Sequence, residues 1–451
     1  MFWDLEKFSA STAVEQPDGS RLSYSELAEK ANRFAEMIPG DRSLVFLLVG
    51  NDLDSLTAYL GCLRSGHVPL LLAANTNAEL LQLLEETYSP NVVWSRNDGF
   101  RVRHNSRMEL NPELALLLST SGSTGSPKLV RLSAQNINSN AESIAEYLHL
   151  KSDEKAITLL PMNYTYGLSV INSHLAVGAT LLLTDYTVIQ REFWDFFKKA
   201  GGTSLVGVPY TYQIYRRAGV FTKLELPTLR YMTQAGGKLP AEDVFKVATW
   251  AKEKGVRFYV MYGQTEATAR MSYLPPEHTL EKSASVGIAI PGGRFAIEDE
   301  EHNEITESGK DGELIYYGPN VSLGYAEKQQ DLALPDTNNG RLSTGDVARW
   351  DDDHYVYITG RLKRFIKMTG NRIGLDEVEK RLRLRGLEAV CGGKDDLLAV
   401  ALTSGDPAAS VQIISDEFKI HYSMIKAIVV SEIPRNDSGK IQYTKLFEGL
   451  L

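Results

Sequence analysis

The chain is poor in cysteine, in long apolar runs and in excess positive charge, and each shortage closes off a class of protein. Its 451 residues include two cysteines, Cys62 and Cys391, far apart and without a C-x-x-C pair. That excludes a zinc knuckle, a dithiol redox motif or a disulfide framework readable from spacing. Both thiols are expected as reduced packing residues. The most apolar long stretch, 168–184, is interrupted by Asn172, Ser173 and His174 and falls short of a membrane span. The opening residues, Met1-Phe-Trp-Asp-Leu-Glu-Lys7, lack a basic region followed by an apolar one. No signal peptide is therefore expected, and a cytoplasmic location is the default. Lys and Arg number 48 against 57 Asp and Glu, for a net charge of −9. No nucleic-acid partner is expected, because phosphate neutralisation needs clustered cations.

What is present is an ordinary folded composition, 43% hydrophobic and 23% charged. The length suggests about three structural units. Apolar runs such as Ser43–Val49, His67–Leu72, Ala156–Leu160, Thr180–Leu183, Ser204–Val208 and Arg257–Met261 read as buried strands. Between them lie helix candidates at Leu53–Arg64, Ala78–Glu86, Phe193–Lys199 and Ala241–Lys254. Asn51 and Asp52 open the first of these and Gly66 closes it. Continuous apolar strands alternating with helices imply parallel sheets covered on both faces. After about residue 280 the turns become richer, as in Pro291-Gly-Gly293 and Asp351-Asp-Asp353, which suggests a smaller β-rich subdomain. The fold class expected is α/β. A large N-terminal domain, 1–360, holds parallel-type α/β subdomains plus the small β-rich one, and a small α+β C-terminal domain, 361–451, follows.

Apolar Leu114-Ala-Leu-Leu-Leu118 runs into Ser119-Thr-Ser-Gly-Ser-Thr-Gly-Ser-Pro-Lys128. A strand ending in a glycine- and hydroxyl-rich loop can bring backbone N–H groups against a phosphate. Gly122 and Gly125 permit close approach, Ser121, Ser123 and Thr124 offer hydroxyls, and Lys128 adds a cation. The spacing is not that of a Walker A loop, and no Ser or Thr follows Lys128. Nor is it a G-x-S-x-G nucleophile elbow.

Five further motifs follow in order: Tyr262-Gly-Gln-Thr-Glu-Ala267, Gly312-Glu-Leu with Gly318-Pro-Asn-Val-Ser-Leu-Gly-Tyr325, Ser343-Thr-Gly-Asp346, Tyr357-Ile-Thr-Gly-Arg-Leu-Lys363 and Pro434-Arg-Asn-Asp-Ser-Gly-Lys-Ile441. With the loop Thr120–Lys128, this ordered set resembles the adenylate-forming superfamily of acyl-CoA synthetases, peptide-synthetase adenylation domains and firefly luciferase. The resemblance implies two half-reactions. A carboxylic acid and ATP give an acyl-adenylate and pyrophosphate. A phosphopantetheine thiol, on CoA or a separate acyl carrier protein, then takes the acyl group and releases AMP. The expected cofactor is Mg2+, with ATP as co-substrate.

The resemblance also distributes roles. Thr120, Ser121, Gly122, Ser123, Thr124, Gly125 and Lys128 would bind the triphosphate. Glu266, a hard oxygen donor, would hold magnesium, beside Thr265. Gly236 and Gly237 would let the backbone approach the base, with Tyr262, Gly263 and Gln264 around the adenine. Asp346, acceptor-only when ionised, would bind the ribose hydroxyls, and Arg361 would donate to ribose or phosphate oxygens. Lys440 would bridge the acid's carboxylate and the α-phosphate. The small domain would be mobile, rotating about Leu362 and Lys363, with Gly370 and Arg372 near the thiol tunnel. Pro161-Met-Asn-Tyr-Thr-Tyr-Gly-Leu168 resembles the family's aromatic gate, so Tyr164, Tyr166, Gly167, Tyr210 and Lys238 are expected around the acyl group, with Tyr212 as a further hydroxyl-bearing wall. The stretch after Gly167 carries no acid to pair an ammonium, which disfavours an α-amino acid. No fused carrier domain follows Leu451, so the acceptor is expected to be separate. A catalytically degenerate nucleotide-binding sensor or scaffold is the alternative.

Charge is unevenly divided. Residues 361–451 hold 15 Lys and Arg against 12 Asp and Glu, and the segment 361–390 holds nine against four. This basic segment is either a solvated helix face or a landing surface for an acidic acceptor, including Arg381, Arg383 and Arg385.

Overall fold

The run Leu44–Val49 has no polar alternation, and it lies in the middle of a sheet with Leu44, Val45, Phe46 and Leu47 fully buried. The computed structural model describes residues 1–103, 108–119, 128–362, 364–368, 371–435 and 441–450, with the backbone alone for Phe365, Asn371 and Arg372. The chain divides into two units. The first takes the described residues among 1–119, 128–295 and 316–342, and the second those among 296–315 and 343–450.

Two sheets build the first unit. One has seven strands in the order Gly324–Ala326, Leu129–Ser133, Leu114–Ser119, Val68–Ala73, Leu44–Val49, Val92–Ser95, Gly99–Val102. Its four central strands run parallel, from Leu114–Ser119 to Val92–Ser95. Its edges are antiparallel. The other sheet has nine strands, with Thr12–Glu15, Thr180–Leu182, Lys155–Ile157, Ser204–Gly207, Tyr231–Gln234 and Arg257–Tyr262 parallel in that order. Parallel strands joined by helices must be buried on both faces, and these are. Each fully buried Leu or Phe contributes about 1.5–3 kcal/mol.

Local signals place the helices. Asp52 accepts from the Ser55 amide at 2.9 Å and opens Leu53–Ser65. Gly66, at φ 77°, ends it in the left-handed region that glycine tolerates. Ser133 and Asn136 exchange side chain and backbone hydrogen bonds at the start of Ala134–Leu148. The apolar stretch 168–184 proves to be most of the buried helix Thr165–Ala176 followed by the strand Thr180–Leu182. Among the described residues, no helix is long and apolar enough to cross a membrane.

Arg131 is fully buried on the strand Leu129–Ser133. Its guanidinium donates to the carbonyls of Leu323 (2.6 Å), Tyr325 (3.1 Å), Pro335 (3.1 Å) and Leu334. Together with the backbone pairing of Gly324–Ala326 to Leu129–Ser133, this side chain ties the later segment 323–335 to the seven-stranded sheet.

The second unit holds a four-stranded sheet in the order Arg294–Glu298, Gly312–Tyr317, Arg341–Trp350, Val356–Arg361. It also holds the pair Phe365–Met368 and Asn371–Gly374, and a sheet of Ala389–Lys394, Leu397–Leu402 and Ile425–Val429. Helices Leu375–Leu384 and Pro407–Phe418 accompany the last sheet over a core of Val378, Leu382, Leu398, Val400, Leu402 and Ile414. The expected α/β class, with its β-rich segment and α+β tail, matches this architecture. Cys62 and Cys391 are both buried free thiols, and burial pushes both pKa values up.

Candidate active site

The glycine-rich loop is bracketed by paired strands, with Ser119 opposite Leu129. Thr120, Ser121, Gly122, Ser123, Thr124 and Gly125 lie outside the described residues. Lys128 stands at the loop's exit, and its ammonium sits 3.6 Å from the centroid of the Tyr325 ring. It also lies 3.4 Å from Glu327. A cation over an aromatic face is attracted by the ring quadrupole, here about 0.5–1 kcal/mol for a half-exposed lysine. The Tyr325 hydroxyl in turn donates to Glu266 Oε1 at 2.7 Å. Burial first, then the neighbouring Glu266 carboxylate, pushes the Tyr325 pKa up, so the phenol remains a donor.

Glu266 follows the strand Arg257–Tyr262, in a single 3-10 turn, Thr265–Ala267. Tyr262 closes the strand half-buried. Gly263 has a steric reason to be glycine, because a Cβ there would stand 1.9 Å from the Ala269 carbonyl oxygen. Gln264 Nε2 is buried with no partner among the described residues, an orphaned donor beside the turn. The Ser322 amide donates to the Glu266 carbonyl at 2.8 Å, and Asn320 Nδ2 donates to the Ala267 and Arg270 carbonyls, each at 2.9 Å. The segment 320–325 therefore shapes the turn that presents Glu266.

The acyl candidates gather at the start of the buried helix Thr165–Ala176. Tyr166 is 2% exposed, and its hydroxyl shares a 2.7 Å hydrogen bond with Thr233 Oγ1. Burial pushes its pKa up to about 12. Arg270 stacks 4.0 Å from the centroid of the Tyr166 ring. Thr165 Oγ1 and Thr265 Oγ1 are 3.3 Å apart, which joins the helix start to the Glu266 turn. The Tyr164 hydroxyl approaches Gly236 so closely that a Cβ there would lie 2.4 Å away, and Gly236 has φ 80°. A Cβ on Gly167 would likewise meet the Pro161 carbonyl at 2.3 Å. Gln234 Nε2 donates to the Gly237 carbonyl at 2.8 Å and shapes the turn that leaves Gly236, Gly237 and Lys238 exposed. Tyr210 is 43% exposed on the first turn of Pro209–Arg217. Tyr212 is buried, with its hydroxyl donating to the Thr233 carbonyl at 2.9 Å.

In the second unit Asp346 and Arg361 stand opposite each other on paired strands, with Oδ1 and Nε 2.8 Å apart. Asp346 is 5% exposed and its amide donates to Thr344 Oγ1. The Leu362 amide donates to the Gly345 carbonyl at 2.8 Å. Arg372 pairs in register with Lys367. Lys363, Gly370 and Lys440 lie outside the described residues. Arg364 pairs with Asp376 and Glu379, Arg381 with Glu377, and Arg385 with Glu417. Of these carboxylates only Glu417 lies outside 361–390, so most of the segment's basic excess remains unneutralised by these pairs.

Among the described residues no group of three His, Cys, Asp or Glu side chains could hold a metal. A magnesium ion held through Glu266 would depend on phosphate and water for its other ligands, which suits that ion. The donor set fits it, because Tyr325 engages one Glu266 oxygen and the carboxylate has a second.

Two largely parallel sheets of this topology, with helices between their strands, define an α/β fold. The structure resembles ATP-bound MatB of Rhodopseudomonas palustris with a TM-score of 0.80, covering 99% of this chain and 98% of that one. At 22% identity the likeness is one of fold. Residues 100–326 match the AMP-binding enzyme family, and the chain belongs to it. It is 31% identical over 274 residues to oxalate–CoA ligase of Arabidopsis thaliana, across 59% of this chain and 51% of the relative. The chain thus spans about half the length of that curated relative. It is 25% identical to the D-alanine–D-alanyl carrier protein ligase of Bacillus mycoides, across 96% of this chain and 97% of the relative.

Proposed function

We propose that the chain is an AMP-forming acid–thiol ligase. A carboxylate oxygen of the acid attacks the α-phosphorus of ATP. The new P–O bond forms as the bond to the β-phosphate bridge breaks, and pyrophosphate leaves with the electron pair. A phosphopantetheine thiolate then attacks the acyl carbon and AMP departs. The observation that carries this reading is the contact of Lys128 and Glu266 through Tyr325, beside a glycine-rich loop, in an AMP-binding family chain.

Reactions of this type depend on positioning and charge neutralisation. Lys128 would neutralise phosphate oxygens with the loop 120–125. Magnesium would supply further charge neutralisation, held at Glu266. Tyr262, Gly236 and Gly237 would bound the adenine, Asp346 and Arg361 would hold the ribose, and Lys440 would bridge carboxylate and α-phosphate. Domain 361–451 would turn about Leu362 and Lys363 between half-reactions, bringing Gly370 and Arg372 toward the thiol. Both acceptor types occur among the relatives' names, CoA and a carrier protein.

The test is acid-dependent ATP–pyrophosphate exchange over a broad panel of acids, followed by AMP release with free CoA or a phosphopantetheinylated carrier. Exchange that disappears in Lys440→Ala supports the ligase. Nucleotide binding without exchange for any acid favours the degenerate sensor or scaffold instead.

A further inference from the structure

Arg270 follows Glu266 by four residues and is 3% exposed, yet its polar partners are few. Nη1 donates to the Ala269 carbonyl at 3.3 Å, the plane lies against the Tyr166 ring at 4.0 Å, and Nε has no partner. Among the described residues, no carboxylate lies within ion-pair distance of it. Arg131 is the internal comparison. That equally buried arginine is saturated by four carbonyls, as a structural arginine should be. A guanidinium offers five donors and no acceptor, so a buried one needs acceptors around it. A buried cation without a counter-ion is costly, and the cost is recovered when an anion arrives.

A cavity beside Arg270 is lined by Tyr166, Ser169, His174, Thr233 and Met261, with about 10 Å³ of free volume. That admits one water and no ion. His174 is held between the Val170 carbonyl (2.7 Å) and the Tyr231 hydroxyl (2.8 Å), and burial lowers its pKa, so it contributes no second cation. Among the described residues, Arg270 is the one permanent charge lining that cavity. The Tyr166 ring, which Arg270 covers, lies 6.4 Å from the ring of Tyr164, whose hydroxyl stands against Gly236.

We propose that Arg270 sets acyl specificity, and that the acid bound here is a dicarboxylate whose far carboxylate pairs with this guanidinium. The proposal rests on the ligase reading and names the substrate class of that same site. One carboxylate balances one guanidinium and matches its planar fork. A phosphate dianion would bring a second charge with no cation to meet it. An ammonium would face a like charge, and a monocarboxylic acid would leave Arg270 unpaired.

The experiment compares matched acids on the full chain: succinate against butyrate and 4-aminobutyrate, glutarate against valerate, and 3-phosphoglycerate as the phosphate arm. Exchange kinetics are measured for the native protein, Arg270→Lys and Arg270→Gln, together with thermal midpoints in the presence of each acid. The expected result is a preference of about tenfold or more in kcat/KM for the dicarboxylate. Arg270→Gln should abolish that preference by losing the dicarboxylate while retaining the monocarboxylate, and Arg270→Lys should keep part of it. The dicarboxylate should also raise the native thermal midpoint, and the monocarboxylate should not. A native preference for monocarboxylates, or for the phosphate arm, overturns the proposal. So does a loss in Arg270→Gln that is equal for both acid classes. If no acid supports exchange, the ligase reading fails. The thermal shift then decides separately, because a dicarboxylate shift lost in Arg270→Lys or Arg270→Gln sustains anion binding and its absence in the native protein ends it.

Discussion

Tyr325 donates its hydroxyl to Glu266 while its ring carries the Lys128 ammonium, so one side chain sets the spacing of an acid and a base that lie 138 residues apart in sequence. Removing the hydroxyl in Tyr325→Phe leaves the ring in place. A hydrogen bond to a charged group is worth about 1.5–3 kcal/mol, so exchange should fall about tenfold and half-saturation by Mg2+ should rise. Tyr325→Leu should lose more, because Lys128 then loses its platform. Titrating exchange activity against Mg2+ checks both.

Gly263→Ala should damage the protein by steric conflict. The added methyl would meet the Ala269 carbonyl backbone, which cannot rotate away as a side chain would. Overpacking costs about 1–3 kcal/mol, and backbone contacts belong at the upper end. A lowered thermal midpoint with lost exchange is expected. An unchanged midpoint would count against the close approach.

Asp346 and Arg361 form an asymmetric pair, with Asp346 5% exposed and the Arg361 side chain 62% exposed. Half-exposed pairs are worth about 1 kcal/mol or less. Arg361→Gln should therefore change stability little while raising the KM for ATP severalfold. Chemical denaturation and initial-rate kinetics separate these effects, and a large stability loss would place Arg361 among the structural residues.

His174 predicts a pH effect on stability. Burial holds its folded-state pKa below the ordinary value of about 6.5, so the unfolded chain takes up the proton first. The neutral form's contribution is fully present above pH of about 6.5 and is lost as pH falls toward the lower folded-state value, at up to about 1.4 kcal/mol per unit. Thermal midpoints between pH 7.5 and 5.5 should drop less steeply in His174→Gln than in the native chain. His67, also lowered by burial, stays in both proteins and cancels in the comparison.

Arg383 offers the sharpest test of the basic segment. Arg381 and Arg385 are engaged by Glu377 and Glu417. Arg383→Glu should raise the KM for the thiol acceptor without altering exchange, whereas Arg385→Glu should also cost stability. Equal loss of both half-reactions in Arg383→Glu would remove the landing-surface idea.

Much of the fold could be read in advance where local chemistry and tertiary packing agree. Leu53–Ser65 has a capping aspartate and a terminal glycine, and the parallel strands are continuous apolar runs. Faces were harder. Tyr210 and Tyr212 sit two residues apart, and only helix phase decides that one is exposed and the other buried. The Glu266 motif was legible as a string, but Tyr325 and Asn320 act on it through long-range contacts that no spacing reveals. Arg270 was visible as an arginine just after Ala267-Thr-Ala269, yet its lack of a carboxylate partner among the described residues is a three-dimensional fact. The charge excess of 361–390 likewise said nothing of pairing, in which Asp376, Glu379, Glu377 and Glu417 engage Arg364, Arg381 and Arg385.

Arg131 has a consequence for the order in which this enzyme is made. The carbonyls it binds lie 192 to 204 residues further along the chain. Closing so long a loop is slow, since its entropy must be lost before the contacts form. During synthesis Arg131 has none of its acceptors until residue 323 has emerged and lacks the full set until residue 335 has, and Tyr325 cannot reach Glu266 or Lys128 before it is itself made. The phosphate end of the site is thus among the last parts of the first unit to assemble. A chain released early would carry the glycine-rich loop and the Glu266 turn without the segment that brings them together.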